Sequence, residues 1–283
     1  MAEWTSVSRL HYKGRTLEWT NKPLMTSEQK TLKDRVALIS GALGSIGRAV
    51  AMELGRRGAV VALSDIHSEA QAAEFLQQCE RAGIQTRYRQ VDVSQAEQVD
   101  AWIADTESAL GVASIVVPCA AIVTRKGVRE VEPAEWRREM EINVDGTFHV
   151  AQKSAMRMAA KKVPGSIVFL GSWVAERPMS RIATYCSGKA ALRMLMQCMA
   201  LEFAADGIMV NEVAPGYVDA GLTGVTLKAD PERRKVLEAL TPIGRLIEAD
   251  EVAFHVANLC DARSSGVTGT TLLLDGGASL RTS

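Results

Sequence analysis

From Arg35 onward, short apolar runs alternate with stretches of helical character, and that alternation constrains the fold more than any other feature of the chain. Val36 to Ile39 is apolar and ends in a glycine-rich turn. A helical stretch follows from about Ile46 to Arg57, then a second apolar run, Val60 to Leu63, closed by Ser64-Asp65. Ala72, Leu76 and Cys79 fall at i, i+4 and i+7, one face of a helix. Arg87 to Val93, Ile115 to Val117, Ser166 to Leu170, Met209 to Val213 and Thr271 to Leu274 read as further strands, most of them separated by helical segments. This order predicts an α/β fold: a Rossmann-type, doubly wound parallel sheet of about seven strands, helices on both faces, in a single domain. Ligands are then expected beyond the C-terminal ends of the strands. Residues 1–33 stand apart as an N-terminal extension ahead of a domain over 34–283. The extension carries Trp4 and Trp19 without clear periodicity. It reads as a partly ordered arm; two tryptophans leave open a clasp on another subunit.

Charge and cysteine usage exclude several classes. With 33 basic and 33 acidic residues the formal net charge is zero, so there is no long-range field for nucleic acid or an anionic membrane. The longest apolar stretch, Val112 to Val123, is interrupted by Ser114 and Pro118 and is too short to span a bilayer. The N-terminus lacks the basic-then-apolar plan of a secretory signal. The five cysteines, Cys79, Cys119, Cys186, Cys198 and Cys260, are scattered and lack metal spacing. Reduced thiols in the cytoplasm, and no metal, are the expectation.

The first turn reads Ser40-Gly41-Ala42-Leu43-Gly44-Ser45-Ile46-Gly47. Glycines there let the backbone turn tightly and approach a pyrophosphate, and the helix that follows offers free N–H groups and a favourable dipole. Three glycines alone could equally pack a helix on a strand. Their context, a strand before and a helix after, is what a dinucleotide needs. Asp65 lies 18 residues past Gly47, at the end of the next strand. A carboxylate there can accept hydrogen bonds from adenosine ribose hydroxyls and would repel a 2′-phosphate, which favours NAD. The bland alternative is a solvated loop carboxylate. Arg48 is expected to point to solvent.

Tyr185 and Lys189 are spaced i, i+4 and share one helix face. An ammonium beside a phenol favours the phenolate, so such a tyrosine can act as a general base in alcohol oxidation and a general acid in carbonyl reduction. The spacing by itself is common and usually structural. Ser172, 13 residues before Tyr185 at a strand end, could hold a substrate oxygen beside the phenol. Asn143 lies on the inward face of a predicted helix, where an amide needs partners: backbone groups, or a water relay to Lys189.

With these residues in order, the chain from about Leu32 to Gly277 resembles the short-chain dehydrogenase/reductase family. The resemblance rests on the glycine turn, Asp92-Val93, Asn143 in I-N-V-D-G-T-F, Ser172, Tyr185-x-x-x-Lys189, Pro215-Gly216, and the ending Val267-Thr268-Gly269 … Asp275-Gly276-Gly277. It implies a catalytic set of Asn143, Ser172, Tyr185 and Lys189. It implies cofactor binding by Gly41, Gly44, Ser45, Ile46 and Gly47, by Asp65, Asp92 and Val93, by Ala120 and Ala121, and by Pro215, Gly216 and Val218, with Lys189 also on the nicotinamide ribose. It also implies a homotetramer, with two long helices per subunit at an interface. The chain departs from the family in three places. Ser45 stands for the middle glycine of the turn, Pro118-Cys119-Ala120-Ala121 for the usual Asn-Asn-Ala-Gly, and Ala220 for a threonine that Thr223 could replace. These bear on the grip on the cofactor more than on the chemistry.

The expected activity is that of an NAD-dependent oxidoreductase passing hydride between the nicotinamide and a secondary alcohol or carbonyl of alcohol, sugar or polyol type. Alternatives are an NADPH-type 3-oxoacyl or keto reductase and a non-catalytic NAD-binding sensor. A lid is expected at about 217–245. The substrate pocket is expected from Trp173, Arg177, Met179 and Tyr217, with Ile122, Val123 and Leu222. Arg177 could instead be a solvated loop charge.

Overall fold

Residues Val7–Tyr12 (β1) and Arg15–Thr20 (β2) pair as an antiparallel hairpin, regular structure that the extension's sequence did not announce. The computed structural model describes residues 7–12, 15–20, 30–220 and 230–280; Trp4, Leu222 and Thr223 lie outside them. The chain divides into two units, Met1–Lys30 and Thr31–Ser283. Leu32, expected in the extension, is fully buried in the second unit and donates its N–H to Arg57 O at 2.9 Å.

The second unit is built on seven parallel strands in the order β5-β4-β3-β6-β7-β8-β9. They are β3 (Val36–Ser40), β4 (Val60–Asp65), β5 (Thr86–Gln90), β6 (Ile115–Pro118), β7 (Gly165–Leu170), β8 (Ile208–Pro215) and β9 (Thr271–Leu274). Central strands of a parallel sheet are covered on both faces, so β3, β6 and β7 are buried along their whole length. Helices α1 (Ser45–Arg56) and α2 (Glu69–Arg81) cover one face, burying Val50, Leu54 and Phe75. The other face takes α3 (Ala96–Leu110), α5 (Gly146–Lys161) and α6 (Ala183–Phe203), which follow α4 (Pro133–Met140) in part. Beyond β8 come α7 (Pro231–Leu240) and α8 (Ala249–Leu259), the latter packed on α1. Among the described residues no helix is long and apolar enough to cross a membrane.

Two local expectations shift. The strand read over Arg87 to Val93 ends at Gln90. Ser94 donates its N–H and its hydroxyl to Asp92 Oδ1 at 3.0 and 2.7 Å, and that side-chain turn bends the chain out of the edge strand. The helix expected through Asn143 is broken by a π-turn over Glu141–Asp145, between α4 and α5. Such turns widen the backbone and are frequent at functional sites.

The glycine turn is locked by contact. A Cβ at Gly41 would stand 2.6 Å from the Ala120 backbone, and one at Gly47 2.3 Å from Gly41 O. Gly44 differs: its φ of −68° suits any residue, and a Cβ there would meet nothing closer than Gly41 O at 3.4 Å. Gly47→Ala is therefore expected to cost about 1–3 kcal/mol of stability, and Gly44→Ala to stay within about 0.5 kcal/mol. Urea midpoints of the two variants check this.

Candidate active site

The strand order reverses at β3 and β6, whose following connections leave in opposite directions, and a cavity of about 910 Å3 opens beyond their C-terminal ends. Gly41, Gly44, Ser45, Ile46 and Gly47 line it, with Asp65 and with Asp92 and Val93. So do Ala120 and Ala121, Ser172, Tyr185 and Lys189, and Pro215, Gly216 and Val218. Residues from seven separate stretches of sequence thus line one cavity.

The glycine turn forms a cradle. Gly44 is the N-cap of α1 and has no side chain to cap it, so the helix's positive end opens on the cavity. Gly44 is exposed, and the protein's own packing does not require its missing side chain. What it leaves is room at the cavity wall for close approach of an anion such as a pyrophosphate. These residues fit a dinucleotide.

Asp65 is 8% exposed. Its Oδ2 accepts from Leu43 N–H at 3.0 Å, and its Oδ1 lies 2.7 Å from His67 Nδ1. A carboxylate only accepts, so His67 donates. The acid is thus no solvated loop residue; it ties the glycine turn to the end of β4. Arg48 does not project to solvent either. It is half-buried, stacks over the Phe75 ring at 4.8 Å and donates to Leu43 O at 2.9 Å.

On the opposite wall, Val93 is held by Gly146, where a Cβ would come 2.6 Å from Val93 Cγ2. That explains the glycine of I-N-V-D-G-T-F. Gly216 passes against Asp275, 2.8 Å from where its Cβ would be, so the Pro215-Gly216 and Asp275-Gly276-Gly277 motifs are two sides of one packing contact. Of the departures from the family pattern, one is compensated: Cys119 N–H donates to Ser40 Oγ at 3.2 Å, so a serine hydroxyl ties β3 to β6.

The four residues expected to carry chemistry come from three places. Ser172 follows β7, and its Oγ accepts from Val174 N–H at 3.4 Å. Tyr185 and Lys189 lie on α6, with Lys189 Nζ 5.4 Å from the Tyr185 ring centre and donating to Leu170 O at 2.6 Å. Burial pushes the Tyr185 phenol well above its usual range, with Cys119, Glu139 and Cys186 adding to it and the Ser172 hydroxyl opposing. Burial likewise lowers the Lys189 ammonium, against the opposite pull of Cys119 and Glu212. The downward pull expected from Lys189 is outweighed: among the protein's own groups desolvation dominates at the phenol. Asn143 is 2% exposed, and its amide clamps Ile122, accepting from its N–H and donating to its carbonyl, each at 2.9 Å. That is the backbone-satisfying role.

The expected substrate residues divide. Ile122 and Val123 line the cavity, as do Cys119, Arg125 and Ile142, which sequence reasoning passed over. Trp173 and Tyr217 pack edge to face at 5.1 Å, and neither is among the residues that line the cavity. Arg177 is exposed and Met179 half-buried, and neither lines the cavity. Of the expected lid, 221–229 lie outside the described residues. Arg234 on α7 bonds Asp219, with 2.9 Å between Nη1 and Oδ1, joining the segment after β8 to that helix. Glu139, fully buried one turn before Asn143, was also missed; Thr124 N–H donates to it at 2.8 Å, and burial raises its pKa.

Comparison with known proteins agrees with this geometry. The family described as Enoyl-(Acyl carrier protein) reductase matches residues 41–279. The chain is 33% identical over 249 residues to 3beta-hydroxysteroid dehydrogenase 1 of Eggerthella lenta, covering 88% of this chain and 95% of that one. It is 34% identical over 246 residues to cis-4-hydroxycyclohexanecarboxylate dehydrogenase of Sinomonas cyclohexanicum, covering 86% and 96%. A gluconate 5-dehydrogenase from Burkholderia cenocepacia, solved with NADP and tartrate, superposes with a TM-score of 0.84 at 33% identity, covering 90% of this chain and 99% of that one. The chain belongs to the short-chain dehydrogenase/reductase family, and with it to the nicotinamide-dependent oxidoreductases.

Asn143→Leu removes both bonds to Ile122 and strands a buried N–H and carbonyl. It is expected to cost about 2–4 kcal/mol, read as a fall in thermal midpoint, whereas Asn143→Asp keeps one acceptor and falls less.

Proposed function

We propose that the chain is an NAD-dependent dehydrogenase interconverting a secondary alcohol and its carbonyl, with Tyr185 as the general acid–base. The observation that carries this reading is the meeting of Ser172, Tyr185 and Lys189 on one cavity wall, opposite an uncapped helix end that suits a pyrophosphate. When bound, the nicotinamide supplies the hydride acceptor or donor and, oxidised, a positive ring charge that opposes the upward push on Tyr185.

The chain's own residues do the rest. Ser172 Oγ holds the substrate hydroxyl beside the phenol. Tyr185 takes its proton in oxidation and returns it in reduction. Lys189, near-buried and fixed by Leu170 O, contributes positive charge beside the phenol and reaches for ribose hydroxyls. Asn143 holds the Ile122 backbone at the cavity wall, and the π-turn that carries it is where a relay water would sit. Gly41 to Gly47 bind the pyrophosphate, Asp65 the adenosine ribose, Asp92 and Val93 the adenine side, and Ala120, Ala121, Pro215, Gly216 and Val218 flank the nicotinamide half.

Asp65 supports NAD over NADP, since its buried carboxylate would meet a 2′-phosphate with like charge. A second reading has an observation in its favour: the gluconate 5-dehydrogenase holds NADP, and the matching family is described as a reductase. An NADPH-type keto or 3-oxoacyl reductase is therefore the rival. With Arg177 exposed and Ile122 and Val123 on the wall, a weakly polar alcohol fits better than a polyol. The two hydroxy-compound dehydrogenases among the relatives agree in spirit. We also infer a cytoplasmic location and a homotetramer, the assembly supported by exposed Met156 on α5 and Met194 and Leu201 on α6, the two long helices. Light scattering tests the assembly.

The deciding experiment is turnover of hydroxysteroids, hydroxycyclohexanecarboxylates, gluconate and 3-oxoacyl substrates with NAD(H) and NADP(H) in parallel. Higher kcat/KM with NAD(H) on a secondary alcohol is expected; a preference for NADPH on a keto substrate selects the rival. Tyr185→Phe should lower kcat by about 10²–10⁴-fold while leaving NADH binding, followed by fluorescence, within twofold. Trp173→Ala should alter relative kcat/KM across the panel, and Arg177→Ala should not.

A further inference from the structure

Tyr185 and Lys189 are followed at the same interval by Arg193, so the three form a stripe along α6. Arg193 is the hub of a charged network behind the cavity wall. Its Nε donates to Glu212 Oε2 at 2.7 Å, and its Nη2 to Glu212 Oε1 at 3.4 Å and to Ser172 O at 3.2 Å. Nη1 pairs with Glu176. Glu212, on β8, is 1% exposed and also accepts from Thr271 Oγ1 on β9 at 2.6 Å. Its carboxylate occupies the space that Gly171 leaves open: a Cβ at 171 would stand 1.6 Å from Glu212 Oε1. Strand β8, the Ser172 backbone and the loop after it thus converge on one guanidinium, with the edge strand β9 joined through Glu212.

We propose that Arg193 and Glu212 are a positioning pair for the reaction, holding Ser172 and the loop to Glu176 against α6 and balancing the charge felt by Lys189 and Tyr185. A buried ion pair is a poor source of net stability, since desolvation of both partners offsets most of their attraction. What this pair does supply is fixed geometry. The guanidinium fork presents its donors in one plane, so the Ser172 carbonyl and the Glu212 carboxylate are held at a set angle to each other. The pair also adds two charges that nearly cancel at the site while both are present.

The titratable and charged groups around the phenol and the ammonium are Cys119 after β6, Glu139 on α4, Cys186 on α6 and Glu212 on β8. Of these, Glu212 is the one with a partner whose removal can unbalance it. Neutralising Glu212 leaves Arg193 positive, which lowers the pKa of both Tyr185 and Lys189. Neutralising Arg193 leaves Glu212 negative, which raises both. Opposite shifts from the two partners are a signature that loss of packing does not produce.

The proposal rests on the Tyr185–Lys189 mechanism, and the test separates the two. The measurement is kcat/KM for oxidation against pH, using the panel alcohol with the highest turnover, with thermal midpoints and NADH binding measured on the same samples. Glu212→Gln is expected to move the acidic limb to lower pH and Arg193→Met to higher pH, each by about 0.5–1 unit. The double variant Arg193→Met/Glu212→Met removes both charges with adaptable side chains. Its limb should return close to that of the wild type while kcat stays about tenfold down, because Ser172 and its loop are no longer held. Arg193→Lys keeps the charge but not the fork, so its limb should stay in place while kcat falls; it carries the test if Arg193→Met fails to fold. Limbs that coincide in all variants, with only thermal midpoints changed, overturn the proposal. If instead Tyr185→Phe retains wild-type turnover, the mechanism itself has failed and not the pair.

Discussion

The site depends on one constraint of doubly wound parallel sheets: where the strand order reverses, two adjacent strands send their following connections away in opposite directions. At β3 and β6 this leaves a gap that no helix fills, and the backbone at the gap must pass very close to itself. Gly41 runs against Ala120, and Gly47 against Gly41 O, at distances that exclude a side chain. The same two glycines that permit this packing also aim the open end of α1 at the gap. Fold and binding cradle are therefore one arrangement, and the turn could not be altered for one purpose without affecting the other.

Around that gap, burial sets the electrostatics. Tyr185 and Lys189 both lean toward their neutral forms because water is excluded from them. A site poised in this way responds strongly to any charge that enters it, since a low-dielectric surround weakens screening. An oxidised nicotinamide beside the phenol is such a charge. Under the mechanism proposed above, the phenolate is favoured only once such a charge has entered. Nearby carboxylates matter for the same reason, among them Glu139, buried on α4, and Glu212, paired with Arg193.

Much of this was legible in the sequence because it rests on local rules. Strands β3, β4, β6, β7, β8 and β9 follow from apolar runs between turns, and the glycine turn and the i, i+4 pair on α6 announce themselves by spacing. What escaped rests on contacts between distant segments. Asp92 leaves its strand because Ser94 bonds to it, and Asn143 sits in a π-turn, clamped to Ile122 across 21 residues of sequence. Arg48 was expected in solvent because nothing local marks Phe75 as its partner. Arg193 was within reach: it continues the Tyr185–Lys189 stripe by one more turn. Its meaning needed Glu212, which a strand pattern alone reads as an oddity on a buried run.

Asp65, proposed above to read the adenosine ribose, is built into the scaffold. An acid that only met a ribose would be free to vary with the cofactor. Here one carboxylate oxygen also accepts from the Leu43 backbone, and the other from His67. The carboxylate is therefore the brace of the glycine turn, whose Leu43 N–H would otherwise be left without that bond. A neutral residue in its place would reduce repulsion of a 2′-phosphate but slacken the cradle for the pyrophosphate that both cofactors share. Under the NAD reading proposed above, selectivity and grip are coupled through this one side chain, so a substitution at 65 aimed at cofactor preference would work against binding of either cofactor.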